Sequence, residues 1–399
     1  MDTKRKAVVV GGGPAGLVAA GRLAAGGIET LLLEGSSHLG GRAASEVRDG
    51  FVLNQGPHAL YVGGPARREL RAMGVELDWW QPASPASVFP REGKAKRTLG
   101  GEAQLGRWFL GLQRTDPEEL AEISVAEWLR RSLRSEKARE SAGALVRVAT
   151  FVADHESFSA DAAVTQLKTV LVPGVRYLRG GWQSLVDALA AKAEASGAAL
   201  RTRAGVRDVE READGWAVAL DGETVRADVL VVAAGGPDAV AKLLGERAPA
   251  APGPAAELSV LDLALRKLPR RSRRFALGVD KPTYLSRHSP PNHPGGVLLS
   301  LASYAREPRA ALEELADTVQ PGWREHVIFD RFLPRMVAVS AISTPESGGL
   351  GGRPAVDQGD GLYLAGDWIG PEGWLVDSAI ASGSAAAAAA LRSRAPVTA

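Results

Sequence analysis

The run Ala7-Val8-Val9-Val10, followed at once by Gly11-Gly12-Gly13-Pro14-Ala15-Gly16, constrains the fold of this chain more than any other stretch. A short β-branched run of this kind reads as a strand buried on both faces. Gly11, Gly13 and Gly16 stand in G-x-G-x-x-G spacing. The alanine-rich segment from Leu17 to about Ala25 predicts a helix, Gly26-Gly27 a turn, and Ile28 to Leu33 a second strand that ends in Glu34. In such a unit the first glycine allows a tight turn and the second lets backbone approach a pyrophosphate. The third lets the helix pack close to the strand. With Pro14 and Ala15 they form a candidate phosphate cradle, where free N–H groups and the positive end of the helix dipole face the ligand. Glu34 lies 23 positions after Gly11, placed to accept hydrogen bonds from an adenosine ribose. A carboxylate there repels a 2′-phosphate, which leaves NAD or FAD.

The residues that follow, Glu34-Gly35-Ser36-Ser37-His38-Leu39-Gly40-Gly41-Arg42-Ala43, resemble the extended FAD fingerprint of the flavin amine oxidase, phytoene desaturase and protoporphyrinogen oxidase superfamily. The resemblance implies FAD, with Gly40, Gly41 and Arg42 brought onto its phosphates. Gly205-Val206-Arg207-Asp208-Val209 resembles the second FAD-contacting segment, in which Val206 would meet the adenine through its backbone. Asp228 to Gly236 reads as a buried strand ending in small residues, so that backbone at Ala233 passes close to the cofactor. Gly361 to Asp367 resembles the family's closing motif, which implies Gly366 and Asp367 at the ribityl–pyrophosphate portion. The helix entered through Gly370 to Ala379 would place the N–H groups near Val376 and Asp377 against the isoalloxazine O2, with Leu375 and Val376 among the cofactor-binding residues and the Asp377 side chain capping that helix.

These segments imply a discontinuous α/β Rossmann-like FAD-binding domain, residues 1–74, 177–250 and 340–399. An inserted α+β substrate domain of antiparallel sheet plus helices takes 75–176 and 251–339. The first insert carries Trp79-Trp80, prolines at 82, 85 and 90, and several amphipathic helices, one opened by the capping box Ser124-Val125-Ala126-Glu127. The second alternates at strand period from Leu258 to Leu265, with further strands at 275–280, 283–286, 296–304 and 327–339. By resemblance these strands roof the flavin, which makes Tyr284 and His288 pocket candidates. His58 sits in a segment that would pass near the flavin ring. Trp368 and Trp374 flank the closing helix as an aromatic wall or as core. Many amine oxidases of this superfamily set a lysine near flavin N5, and here Lys281 is the residue in the roof region.

The absence of cysteine excludes disulfides, thiolate metal sites, a catalytic thiol and flavin attachment through sulfur. No spacing suggests a metal site. A net charge of +2 gives no bulk field for nucleic acid. Arg266 to Arg274 holds six basic residues in nine positions, read as a solvated loop or as contact with an anionic lipid surface or acidic partner. Met1 to Lys6 lacks the apolar core of a signal peptide, and no apolar run reaches 18 residues, so a cytoplasmic protein is expected. The expected reaction is hydride removal from a C–H bond of a small or lipophilic molecule onto flavin N5, by amine oxidation or C=C-forming desaturation. A redox-neutral polyene isomerase and a low-turnover flavin-binding partner protein stay open as alternatives. Substrate, electron acceptor and oligomeric state are not specified by the sequence.

Overall fold

The computed structural model describes residues 4–82, 87–99, 102–171 and 174–393. Met1 to Thr3 of the basic lead and Pro85 lie outside them. A six-stranded sheet forms around Lys6–Val10, which pairs in parallel with Glu29–Leu33 on one side and Val229–Val232 on the other. Ala199–Arg201 and Leu362–Leu364 extend it in parallel, and Asp357–Gly359 adds an antiparallel edge. Side chains alternate along the central strand as the pleat requires. Ala7 and Val9 face the helices Pro14–Ala25, Gln183–Ala195 and Val376–Arg392. Val8 and Val10 face a three-stranded ribbon built on Asp208–Glu212, Gly215–Ala219 and Thr224–Ala227, where Trp216 is buried. Both faces are covered, which is why the strand reads as an unbroken apolar run.

A second sheet of seven strands is mostly antiparallel, with Ala256–Leu265 between Val327–Val339 and Val297–Ser303, then Thr283–Arg287 and Phe275–Leu277. Its last two strands, Ser87–Arg91 and Lys94–Lys96, come from the first insert, whose sequence reads as a proline-punctuated stretch followed by helices. The backbone of Ser87–Arg91 joins Phe275–Leu277 in parallel. That pairing joins residues almost two hundred positions apart, and nothing local in the sequence announces it. One face of this sheet packs on the helix Arg309–Val319 through Leu312, Leu315 and Val319. The other face, with Leu258, Val260 and Tyr284, meets Phe151 and Met336.

The helices Glu102–Leu112, Val125–Ser132, Glu136–Thr150 and Ala160–Leu171 share one core with Trp108, Trp128 and Phe158. Ser124 Oγ accepts from the Glu127 N–H at 3.2 Å, as the capping box predicts. The Glu127 carboxylate turns instead to Arg130 and Arg131, so the box is half made. Among the described residues no helix is long and apolar enough to cross a membrane, and no cluster of His, Cys, Asp and Glu is arranged to hold a metal ion.

Candidate cofactor site

Val10, Leu33, Ala233 and Gly366 stand at or just beyond the carboxyl ends of the four central parallel strands, and all line one cavity of about 690 Å³. The chain extends the sheet from Lys6–Val10 to one side through Glu29–Leu33 and Ala199–Arg201, then crosses to Val229–Val232 and Leu362–Leu364 on the other, and ligands of open α/β sheets sit at such a switch point. Gly11 has φ +110°, and a Cβ there would lie 2.5 Å from the Ala233 carbonyl oxygen. A Cβ on Gly16 would lie 2.0 Å from the Gly11 carbonyl oxygen, so the helix starts as close to the strand as backbone allows. Gly13 differs from both. A Cβ on it would meet nothing nearer than the Gly40 carbonyl oxygen at 3.9 Å, so the space in front of this turn is open. No side chain caps Pro14–Ala25 and no acid stands in its first turn, which leaves its N-terminal N–H groups for an anion. This bare, glycine-lined cradle fits the pyrophosphate of FAD.

Glu34 lines the same cavity, its Oε2 accepting from Gly12 N–H and its Oε1 from Ser36 N–H, both at 2.7 Å. The two bonds fix the carboxylate plane, and each oxygen retains a second lone pair for a ribose hydroxyl. Val206 and Gly205 lie beside Gly35 along the rim. Gly40 and Gly41 take φ +120° and +52° and lead into the short turn Gly41–Ala43, which aims Arg42 at Asp367. The pair is bidentate, Nη1 to Oδ2 at 3.0 Å and Nη2 to Oδ1 at 2.7 Å. Asp367 also accepts from Ser340 N–H at 2.9 Å and Ser340 Oγ–H at 2.7 Å. Burial opposes its ionisation, yet Arg42 and these donors outweigh it and hold its pKa below the ordinary carboxylate value. Four donors occupy this carboxylate, so its first duty is to orient Arg42 and anchor Ser340. Direct ligation of the ribityl–pyrophosphate portion was the expectation, and the saturated carboxylate leaves little capacity for it.

Aromatic residues make another part of the wall: Tyr61, Phe151 and Trp182, with Met336 and His58 among them. The His58 ring packs against Trp182 in a tilted arrangement, with centroids 4.9 Å apart, and its Nδ1 lies 2.9 Å from the Gly56 carbonyl oxygen. Nδ1 therefore carries the proton and Nε2 the lone pair. Burial pulls the pKa down to about 4, so the ring is neutral near pH 7. Of the four residues proposed for chemistry, only His58 lines the cavity.

Tyr284 and His288 lie behind its wall, in a polar knot with Tyr177. Tyr177 Oη is 2.9 Å from Ser286 Oγ and 3.3 Å from Tyr284 Oη, and its ring stacks on His288 at 4.6 Å. Trp374 is 1% exposed, donates its indole N–H to the Thr150 carbonyl at 2.9 Å and packs on Phe158. It belongs to the helical core, as Trp368 belongs to the core under the first sheet. Lys281 is exposed and paired with Glu314 at 2.9 Å, and among the described residues Lys242 is the only lysine lining the cavity. Tyr61, Phe151, Trp182 and Met336 carried no motif. Only the placement of 50–61 near the flavin ring pointed to one of them, Tyr61.

The helix Val376–Arg392 begins at the cavity, entered through Leu375 at φ +55°, with Leu375, Val376 and Ala379 in the wall. Asp377 does not cap this helix. Its Oδ1 accepts from Ala66 N–H at 2.8 Å, at the start of the helix Pro65–Ala72, and its Oδ2 is buried without a partner. Gly64 is what makes room, since a Cβ there would lie 2.2 Å from the carboxylate. Burial drives the Asp377 pKa from 3.8 up to about 7. The folded chain thus keeps a proton that the unfolded chain releases, and stability falls as pH rises from about 4 to about 7. At roughly 1.4 kcal/mol per unit the full loss is on the order of 4 kcal/mol. Asp377→Asn keeps the acceptor for Ala66 and should flatten this slope, read by denaturant unfolding across that range. An unchanged slope would assign the pH dependence elsewhere.

A family model for flavin containing amine oxidoreductases matches residues 14–391. Coproporphyrinogen III oxidase of Propionibacterium freudenreichii subsp. freudenreichii is 41% identical over 63 residues, which are 16% of this chain and 12% of that protein. Pseudooxynicotine dehydrogenase of Pseudomonas sp is 37% identical over 100 residues, 24% of this chain and 20% of that protein. The matched stretches thus span between 12% and 20% of the length of these two relatives. Cyclohexylamine oxidase from Brevibacterium oxydans IH-35A shares the fold, with a TM-score of 0.75 at 16% identity over 97% of this chain and 99% of that one. With the model match running almost end to end, the chain belongs to the flavin containing amine oxidoreductase family.

Proposed function

We propose that this chain is an FAD-dependent oxidoreductase that removes hydride from a C–H bond of a small or lipophilic substrate, next to nitrogen or to a nascent C=C bond. The observation that carries the reading is one cavity joining the open cradle at Gly13 to the aromatic group around His58 and Trp182. Bound FAD supplies the hydride acceptor at N5. The chain's residues do the rest. Glu34 holds the ribose, while Gly13 and the helix behind it hold the pyrophosphate. Arg42, fixed by Asp367, adds a cation on the phosphate side. The N-terminus of Val376–Arg392 favours negative charge on a reduced ring. Neutral His58 and the aromatic side chains exclude water and orient the substrate without a fixed charge. The division into a cofactor domain, 1–74, 177–250 and 340–399, and a substrate domain, 75–176 and 251–339, is part of this reading. The separate cores of the two sheets support it.

The test is an absorbance spectrum of the purified protein, followed by anaerobic titration with amines and with polyenes. Flavin bands bleached by one class, with product two hydrogens lighter, are expected. A protein without flavin bands after FAD is added would overturn the cofactor assignment. A product of unchanged mass would replace oxidation by isomerisation.

A further inference from the structure

The basic run Arg266 to Arg274 is not a loose loop. The strands Ala256–Leu265, Phe275–Leu277, Thr283–Arg287, Val297–Ser303 and Val327–Val339 all have a terminus at one end of the seven-stranded sheet. Leu265 pairs there with both Val297 and Val327, and Phe275 with Ser286. At that end the run is bolted down by Gln320. Its Oε1 accepts from Arg270 N–H at 2.8 Å, and its Nε2 donates to the carbonyls of Arg270 and Arg273. Arg273 donates in turn to the carbonyls of Thr318 and Val319, at the C-terminus of the helix Arg309–Val319, where a cation suits the dipole.

The remaining cations are left over from this framework. Lys267, Arg270 and Arg271 are exposed, and among the described residues their side chains have no carboxylate within salt-bridge distance and make no hydrogen bond to protein. Arg274 bonds only the Arg271 carbonyl, and Arg266 only the Glu325 carbonyl. A solvated loop needs no such pinning, and a chain with 48 basic and 46 acidic residues could have neutralised these charges locally. Two apolar side chains lie at the same end. Ile328 is 39% exposed and follows Val327 at the strand terminus. Val47 is 72% exposed, on the hairpin Ser45–Arg48 and Phe51–Asn54. That hairpin is held there by Arg48 over the Phe329 ring at 4.4 Å and by Phe51 stacked on His293 at 4.6 Å.

We propose that this end of the sheet docks on an anionic lipid bilayer, with Lys267, Arg270, Arg271 and Arg274 at the headgroups and Val47 and Ile328 entering the interface. Fixed, unpaired cations beside exposed aliphatic side chains suit a surface that is both negative and apolar below. Nucleic acid would call for exposed aromatic rings to stack on; at this end Phe51, Phe329 and Trp323 are buried, and the half-buried Phe275 is packed edge-on against Tyr284. An acidic protein segment would use the charges and leave Val47 and Ile328 in water. Docking is independent of the reaction proposed above, and its test does not use turnover.

Each basic residue near an anionic surface is worth about a five-fold gain in binding. The holoprotein should therefore co-sediment with phosphatidylcholine vesicles containing phosphatidylserine, far less with phosphatidylcholine alone, and should be released by high salt. The triple variant Lys267→Gln/Arg270→Gln/Arg271→Gln should lose roughly 100-fold in partitioning, with flavin content and melting temperature unchanged. Val47→Ser should weaken binding without altering its salt dependence. Wild-type protein that stays in the supernatant would overturn the proposal, as would a triple variant that binds like wild type. Heparin or polyglutamate bound in preference to the anionic vesicles would also overturn it, in favour of a polyanion partner.

Discussion

Gly16→Ala should cost the folded chain roughly 3 kcal/mol or more, whereas Gly13→Ala, three residues earlier, should leave stability unchanged and abolish FAD retention. Helix propensity alone argues the opposite for Gly16. It lies inside Pro14–Ala25, where alanine is favoured over glycine by about 1 kcal/mol. The deciding contact is not helical. A Cβ on Gly16 would sit 2.0 Å from the Gly11 carbonyl oxygen, which is backbone of a turn itself pressed against Ala233. Neither partner can step aside without moving the strand Lys6–Val10 or the middle of Val376–Arg392, because a Cβ on Gly383 would likewise lie 2.2 Å from the Ala15 carbonyl oxygen. Gly13 has φ −78°, ordinary for alanine, and its added methyl would point into open cavity. The space it takes is the space assigned to the pyrophosphate. Denaturant unfolding and the flavin absorbance of both purified variants separate the two effects. Equal stability losses would show that Gly13 is structural and that the cradle has been placed wrongly.

The contrast between these glycines also marks how far the sequence could be read. Strand, turn, helix, strand and acid from Ala7 to Glu34 are encoded locally, since each depends on neighbours within a few residues, and the structure has them in that order. Arg42, Ala233, Gly366 and the entrance to Val376–Arg392 were reachable because a cofactor's shape links them, and all line the one cavity. The residues around the aromatic end were not. Whether Tyr284 faces the cavity or the layer behind it depends on how Thr283–Arg287 is set in a sheet of distant strands, and a shift of one residue exchanges the two faces. Trp374 stands one residue before Leu375, which lines the cavity, yet the bend at Leu375 turns the indole into the helical core. Asp377 had the position of a cap, and its actual partner, Ala66, is 311 residues away. In each case the partner was supplied by tertiary structure, which no local pattern records.

Asp367→Ala should cost about 3 kcal/mol in the apoprotein and weaken FAD binding as well, and the coupling of the two losses is the informative part. Removing one member of a buried ion pair typically costs 3–5 kcal/mol, because the other charge is left stranded. The low end applies here, since the Arg42 side chain is 42% exposed and can recruit water, whereas Asp367 is 4% exposed. Part of the cost falls on Ser340, whose N–H and hydroxyl both lose their acceptor. The pH dependence follows from the depressed folded pKa of Asp367. Its contribution is fully present above the unfolded pKa near 3.8 and is lost as pH falls through the folded value. The variant should therefore lack the corresponding acid-sensitive part of wild-type stability. Arg42→Ala tests the other side of the pair. If Asp367 acts by orienting Arg42, the double variant should bind FAD no more weakly than Arg42→Ala alone, a coupling that a double-mutant cycle reads directly. If Asp367 were a cofactor ligand in its own right, the two losses in affinity would add. Arg42→Lys should rescue little of either, because a point charge cannot make the two parallel bonds that fix this carboxylate. Additive losses together with an unperturbed apoprotein would return Asp367 to the cofactor. Coupled losses with a destabilised apoprotein make it the residue through which the phosphate side of the site is joined to the fold.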